Sequence, residues 1–189
     1  MWIRRFKMSF TDDEYRKIDD YIKKEKQIQS QSGWVVINNE RRLESIIQLI
    51  DGNVIEVEFS FRGSVNKNSP TLDDTHGELK LLYSNKNKET LWISRISYNP
   101  VRNHTNCKLD NFQWSLKRLK KGICRIYKWE DRKESLKNGM TEENAPATPL
   151  PEIKTFDAFL KAFKDYLHIT GEIKMPVLSP ELPLEGEHK

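Results

Sequence analysis

The stretch "VIEVEFSFRG" (residues 54–63) is the clearest strand in the sequence and decides how its neighbours are interpreted. Apolar and polar side chains alternate along it, with Ile55, Val57, Phe59 and Phe61 on one side and Glu56, Glu58 and Ser60 on the other. Successive side chains of a strand point to opposite faces, so this alternation predicts a strand with one buried and one polar face.

Several further strands are predicted around it from β-branched and aromatic residues between turn signals. They are "GWVVI" (33–37), "ELKLLYS" (78–84), "TLWISRISYN" (90–99) and "ICRIYKWE" (123–130). Residues 41–50 and 112–122 each fit either a strand or a helix. Strict alternation in residues 90–99 would place Arg95 on a face that begins with Leu91 and Ile93, where a buried arginine needs a partner.

Two amphipathic helices are predicted at the ends of the chain. Residues 10–29 begin with a capping box formed by Thr11 and Glu14, and Phe10 and Tyr15 fit the hydrophobic staple beside it. Residues 155–169 carry phenylalanine and leucine at core spacing after Thr155 as N-cap. Residues 138–151 between the strands and this helix are expected to be a flexible connection.

These elements predict an α+β fold, with a mainly antiparallel sheet flanked by an N-terminal and a C-terminal amphipathic helix. Residues 1–171 would form a single domain. Residues 172–189 contain prolines and little that could be buried, so we expect an extended or disordered tail.

Composition limits the class of protein. The chain has 189 residues, a net charge of +4 and two cysteines, Cys107 and Cys124, in no CxxC pattern. A disulfide framework is therefore not expected, and a reducing, cytoplasmic compartment is the simpler prediction. No apolar run has the length of a membrane span, and no membrane partner is expected.

Motifs for common enzyme chemistries are missing from the sequence. It has no phosphate-binding glycine loop, no nucleophile elbow and no HExxH motif. Its four histidines show no zinc-ligand spacing with each other or with the cysteines. We therefore expect no metal and no cofactor.

A basic stretch, Lys117 to Lys133, is the main asymmetry of charge, and Trp114 precedes it. Cations beside exposed aromatic rings suit single-stranded nucleic acid, because the cations hold phosphates and the rings stack on bases. The predicted binding residues are Arg62, Lys117, Arg118, Lys120, Lys121, Arg125, Tyr127 and Trp129. The alternative is a solvated strand edge protected by lysines, with its aromatic residues buried.

The segment "ISRISYNPVRNHTN" (93–106) holds the candidate catalytic residues Arg95, Arg102 and His104. If the strand ends converge, a histidine could move a proton from an RNA 2′-hydroxyl while arginines stabilise the charge on phosphorus. This would be RNA cleavage without a metal, and simple phosphate binding fits the same residues.

The order F-x-F-R-G, R-I-x-Y, N-H-x-N, G-x-x-R-I-Y and F-x-x-F-L resembles an uncharacterised domain family of bacterial and mobile-element proteins, over about residues 54–169. The family has H-x-H-x-Y where this chain has Ile123, Arg125 and Tyr127, so both histidines of that strand are lost. The resemblance implies a defence or mobile-element setting, and a lost activity if the family acts through those histidines.

The sequence thus favours a small nucleic-acid-handling protein, either an RNA binder or a toxin-like ribonuclease. The alternative is a non-enzymatic inhibitor or adaptor that binds a protein or ribonucleoprotein partner, such as an anti-defence protein. The oligomeric state stays open.

Overall fold

A computed structural model describes residues 10–37, 42–61, 75–85, 90–140 and 144–175. Three helices lie in these ranges: α1 (Asp12–Lys23), α2 (Trp129–Lys137) and α3 (Phe156–Leu167). The longer strands are β1 (Lys26–Gln31), β3 (Arg42–Leu49), β4 (Val54–Phe61), β5 (Thr75–Ser84) and β6 (Thr90–Tyr98). The shorter ones are β2 (Val35–Ile37), β7 (His104–Thr105), β8 (Arg118–Leu119), β9 (Arg125–Tyr127), β10 (Thr148–Pro149) and β11 (Ile169–Thr170).

One sheet organises the described chain. Its strand order is β10-β9-β6-β5-β4-β3-β1-β11, with β2 paired to part of β3. All neighbours are antiparallel except β1 and β11, which run parallel. The predicted α+β class with a mainly antiparallel sheet is confirmed, and residues 41–50, which fitted either a strand or a helix, contain strand β3.

The main core lies between one face of this sheet and helices α1 and α3. Ile55, Val57 and Phe59 of β4 are fully buried there, as their alternation predicted. Helix α3 contributes Phe156, Phe159, Phe163 and Leu167. Phe59 and Phe156 meet edge to face at 5.1 Å between ring centroids.

Helix α1 begins as predicted and ends earlier than predicted. The Thr11 hydroxyl accepts a hydrogen bond from the Glu14 amide, while the Glu14 carboxylate accepts one from the Thr11 amide, which completes the capping box. The helix stops at Lys23, and Lys26–Gln31 pairs with β3 and β11 as strand β1. Tertiary pairing overrides helix propensity here.

Lys26 ties the ends of α1 and α3 together. Its side chain is almost wholly buried, and its Nζ donates to the carbonyl oxygens of Ile22, Lys24 and Leu167 at 2.8 to 3.0 Å. These oxygens lie at helix C-termini, where intrahelical partners run out and a cation is favoured. All three donors of the ammonium group are therefore used.

A bulge in β6 overturns the predicted face of Arg95. The pairing with β5 shifts between Leu81 opposite Ser94 and Leu82 opposite Trp92. Leu91 and Ile93 therefore lie in the main core together with Ile96, while Arg95 points to the opposite face. One extra residue in a strand exchanges the two faces beyond it, which strict alternation cannot anticipate.

The opposite face of the sheet is partly covered. Residues 99–124, called the basic layer below, pack over β6 and β9 and contain the small β7–β8 pair. A second cluster forms beneath this layer from Trp92, Leu119, Tyr127, Ala145 and Ala147. Over β3, β4 and β5 the described residues leave the same face open and polar.

Helix α2 was not predicted, and it replaces the end of the strand expected over residues 123–130. Only Arg125–Tyr127 is strand, and Trp129 begins the helix. The packed chain also extends past the predicted boundary at residue 171. Ile173 lies in the main core, and Lys174 exchanges backbone hydrogen bonds with the Gln31 side chain. The predicted tail from residue 176 onward lies outside the described residues.

Among the described helices, none has the length and apolarity needed to cross a membrane.

Candidate nucleic-acid interface

Exposed cations concentrate on the basic layer. Six cations lie in this segment against one carboxylate, Asp110, so the layer carries a net charge of +5 where the whole chain carries +4. All six are exposed: Arg102, Lys108, Lys117, Arg118, Lys120 and Lys121. The rest of the chain therefore carries a net charge of −1, and exposed positive charge concentrates in this segment.

Asn106 holds the basic layer in place. Its side chain is buried, and its Nδ2 donates to the Trp114 and Ala147 carbonyls at 2.9 Å each. Its Oδ1 accepts from the Ala147 amide at 2.8 Å. The Asn106 side-chain amide thus links its own segment to that of Trp114 and to the chain before β10. These bonds satisfy backbone groups that would otherwise be buried unpaired.

His104 does not reach the surface of the layer. Its side chain lies against the Tyr127 ring, with 5.4 Å between ring centroids, and its Nε2 donates to the Ala145 carbonyl at 2.8 Å. Burial lowers the pKa of His104, and the charges of Arg125 and Arg95 act in the same direction, although the Ala145 hydrogen bond opposes them. A proton shuttle must contact its substrate, so the predicted role of His104 is not supported by its position.

Arg95 also lies beneath the layer. Its guanidinium carbon is 3.9 Å from the Tyr127 ring centroid and 5.2 Å from that of Trp92. Glu78 on the neighbouring strand interacts with it electrostatically, since the charge of Arg95 lowers the pKa of Glu78. The partner that a buried arginine needs is therefore a pair of ring faces and one acid, which is a structural arrangement.

Tyr127 and Trp129 are too buried to stack on bases. Tyr127 is fully buried in the second cluster. Trp129 lies in the main core instead, where it stacks on Tyr15 at 5.9 Å and donates its Nε1 hydrogen to Asp19 at 2.7 Å. A stacking platform needs an exposed ring face, and the structure does not place either ring where a base could stack on it.

Arg125 and Arg102 meet at one edge of the layer. Arg125 is 7% exposed, and its Nη1 donates to the Arg102 carbonyl at 3.5 Å, while the Arg102 side chain is exposed. The loop after β6 and strand β9 are therefore in contact at this edge. Arg62 lies outside the described residues.

An acidic groove of about 220 Å³ lies on the open part of the same sheet face and was missed from the sequence. Glu44, Glu58 and Glu78 stand in one cross-strand row, and Glu56 lies nearby. The signal was present in "VIEVEF" and "ELKLL", but only the strand register aligns the three acids. No group of three metal-binding side chains occurs in the described ranges.

Glu78 makes several polar contacts in this groove. Its Oε1 accepts from the Ser97 hydroxyl at 2.9 Å, and Lys80 Nζ lies 3.6 Å from its Oε2. Burial raises the pKa of Glu78, but Arg95, Lys80, His76 and the Ser97 hydrogen bond together bring it below its usual value. Neighbouring cations therefore favour the ionised form of Glu78.

No protein-family model, no curated protein and no solved structure matches this chain. The resemblance to a bacterial and mobile-element family therefore stays a prediction, and the geometry of the site carries the functional argument alone.

Proposed function

We propose that this protein binds the phosphate backbone of nucleic acid, RNA in the first instance, through the basic layer. The observation that carries the proposal is the net charge of +5 on this one segment, with all six cations exposed. Lysine and arginine side chains on one surface neutralise phosphates and release counterions, which supplies affinity without reading sequence.

Binding without cleavage is the form of this function that the geometry favours. The one histidine of the layer, His104, donates to Ala145 beneath the surface and faces Tyr127. No described histidine lies among the exposed cations of the layer to move a proton from a 2′-hydroxyl. We therefore propose that the protein binds RNA without cleaving it. Cleavage in the test described below would instead support a toxin-like ribonuclease.

Contact with the backbone, rather than with bases, follows from the burial of the rings. Tyr127 and Trp129 are buried, and Trp114 packs against the second cluster. Without stacking, affinity depends almost entirely on charge, so it should fall steeply as salt is added.

The test uses labelled RNA and a variant in which Lys117, Arg118, Lys120 and Lys121 are all changed to Gln. The intact protein should shift the RNA at about 50 mM salt and shift it far less at about 200 mM. The variant should lose most of its affinity, and the slope of log affinity against log salt should fall by roughly 3 to 4.

The matched control changes four exposed cations in helices α1 and α3 and at the C-cap of α1, namely Arg16, Lys23, Lys24 and Lys161, to Gln. It makes the same change in net charge, and it should retain most of the affinity and the salt slope. Equal losses in both variants would contradict the proposal, because net charge alone would then explain the binding. Cleavage of the RNA that depends on His104 would overturn the non-catalytic form.

The alternative function, an inhibitor or adaptor with a protein partner, uses the same surface. An acidic protein partner would also complement the exposed cations of the basic layer. RNA that is not shifted at any salt concentration would favour this second function and would exclude the first.

A further inference from the structure

We infer that Arg125 binds a single phosphate group at the edge of the basic layer, in a site called the phosphate seat below. The inference rests on the proposed function where the phosphate belongs to a nucleic-acid backbone. It stands independently where the phosphate is a free ion, because the seat is defined by one side chain and its surroundings.

Arg125 is a buried cation whose donors are mostly unused. Its Nε is buried without a hydrogen-bond partner, and its Nη1 makes one long bond of 3.5 Å to the Arg102 carbonyl. No carboxylate forms an ion pair with it in the described part of the chain. A guanidinium has five N–H donors, and leaving a buried charge so poorly compensated is unfavourable.

One nitrogen of the guanidinium, Nη2, keeps some contact with solvent. It makes no hydrogen bond with described residues, and it is not among the fully buried unpaired atoms. Arg125 is 7% exposed in total, which confines access to this one end of the fork. A phosphate oxygen there would receive a charge-assisted hydrogen bond in a weakly screened position.

Two exposed cations, Arg102 and Lys121, belong to segments that meet beside Arg125. The Lys121 amide donates to the Asn103 side chain at 2.9 Å, and the Gly122 amide donates to the Pro100 carbonyl at 2.9 Å. These bonds place the segment carrying Lys121 beside the loop carrying Arg102, whose carbonyl accepts from Arg125. A phosphate bound to Arg125 would thus lie close to segments whose cations could hold the neighbouring phosphates of a chain.

A purely structural role explains Arg125 poorly. The acid across the neighbouring strand, Glu78, already accepts from Ser97 and is balanced by Lys80 and Arg95. Arg95 differs from Arg125 because two ring faces contact its guanidinium. Among the described ring contacts, none compensates Arg125 in this way. A phosphate would supply the missing negative charge and acceptor oxygens.

The first measurement follows the Arg125 side-chain Nε–Hε signal by NMR while inorganic phosphate is added to the full chain. The signal should shift and saturate, and sodium chloride at equal ionic strength should leave it in place. An Arg125 signal that responds equally to both salts, or to neither, would overturn the seat. This measurement needs no variant and therefore does not depend on whether a variant folds.

The second measurement compares Arg125→Lys and Arg125→Gln with Lys24→Gln, which removes an exposed cation from the other side of the sheet. Both Arg125 variants should bind inorganic phosphate about tenfold more weakly or worse, since a bond to a charged group is lost. In RNA binding, Arg125→Gln should lower the salt slope by about 1, while Arg125→Lys should keep the slope and lose affinity.

The outcomes separate the two proposals. Phosphate binding that depends on Arg125, without any RNA binding, would support the phosphate seat and contradict the proposed function. RNA binding that is unchanged in both Arg125 variants would keep the proposed function and overturn the seat.

Discussion

The two faces of the sheet each bury a cation, and they treat it differently. On the helix side, Lys26 donates to three carbonyl oxygens at 2.8 to 3.0 Å and has no donor left. On the layer side, Arg125 makes one bond of 3.5 Å, and its Nε remains unpaired. A buried charge that is saturated by the protein serves the fold, whereas we propose that the unsaturated Arg125 binds a group from outside the chain.

The largest loss of stability should come from Lys26→Met, which removes the buried cation whose donors are all used. Three buried carbonyls at the ends of α1 and α3 would lose their donor, so the free energy of unfolding should fall by about 3 kcal/mol. Urea denaturation measures this loss, and Lys23→Met, at the exposed last position of α1, is the control. A loss below about 1 kcal/mol would show that the saturation of Lys26 matters little.

Asn106→Ala should have the next largest effect, because it releases the layer that covers Arg125. The Trp114 and Ala147 carbonyls and the Ala147 amide lose their partner, which should cost about 2 kcal/mol. Amide hydrogen exchange should speed up in residues 99–124 and 144–149 while the main core keeps its protection. Uniform loss of protection would mean that layer and core open as one unit.

A smaller effect on stability is expected for Arg125→Met, which removes the buried cation on the other face of the sheet. Removing an unsatisfied buried charge should change the free energy of unfolding by no more than about 1 kcal/mol, and the change should be toward stability. Urea denaturation in buffer without phosphate measures it. A loss as large as that of Lys26→Met would erase the difference between the two sides and would make Arg125 a structural residue.

The smallest effect is expected for Glu78→Gln, and it should be present near neutral pH and vanish in acid. The folded-state pKa of Glu78 lies below its ordinary value of 4.5, so its stabilising contribution is present above that pH and is lost as the pH falls through the lower folded-state value. Glu78→Gln should remove this part of the pH dependence. Glu56→Gln, on the same face, is the comparison, and identical acid profiles for the two variants would contradict the assignment.

Local sequence signals predicted the elements that local physics determines. The capping box of Thr11 and Glu14, the alternation of β4 and the aromatic spacing of α3 all appear as expected. Helix α2 and the early end of α1 depend on contacts with distant parts of the chain, such as the pairing of β1 with β11. A window of sequence does not contain that information.

The residue types of the candidate site were predicted from the sequence, but the burial of each residue was not. The sequence analysis named Lys117, Arg118, Lys120, Lys121 and Arg102, and all five are exposed in the basic layer. His104, Tyr127 and Trp129 have the residue types of a ribonucleolytic or stacking site, but the structure buries them. Residue type does not reveal burial where an irregular layer covers a polar sheet face. The cross-strand row of glutamates was missed for another reason, because it depends on strand register.

The bulge in β6 gives the chain an uneven tolerance to insertions and deletions. It lies between the pair Leu81–Ser94 and the pair Leu82–Trp92, and residues on its two sides follow opposite alternation. Deleting a single codon within it would restore regular pleating and turn either Arg95 or Leu91 toward the wrong face. A frame-preserving deletion there should therefore be more harmful than most substitutions at the same positions, so length, and not only residue identity, is under constraint in this strand.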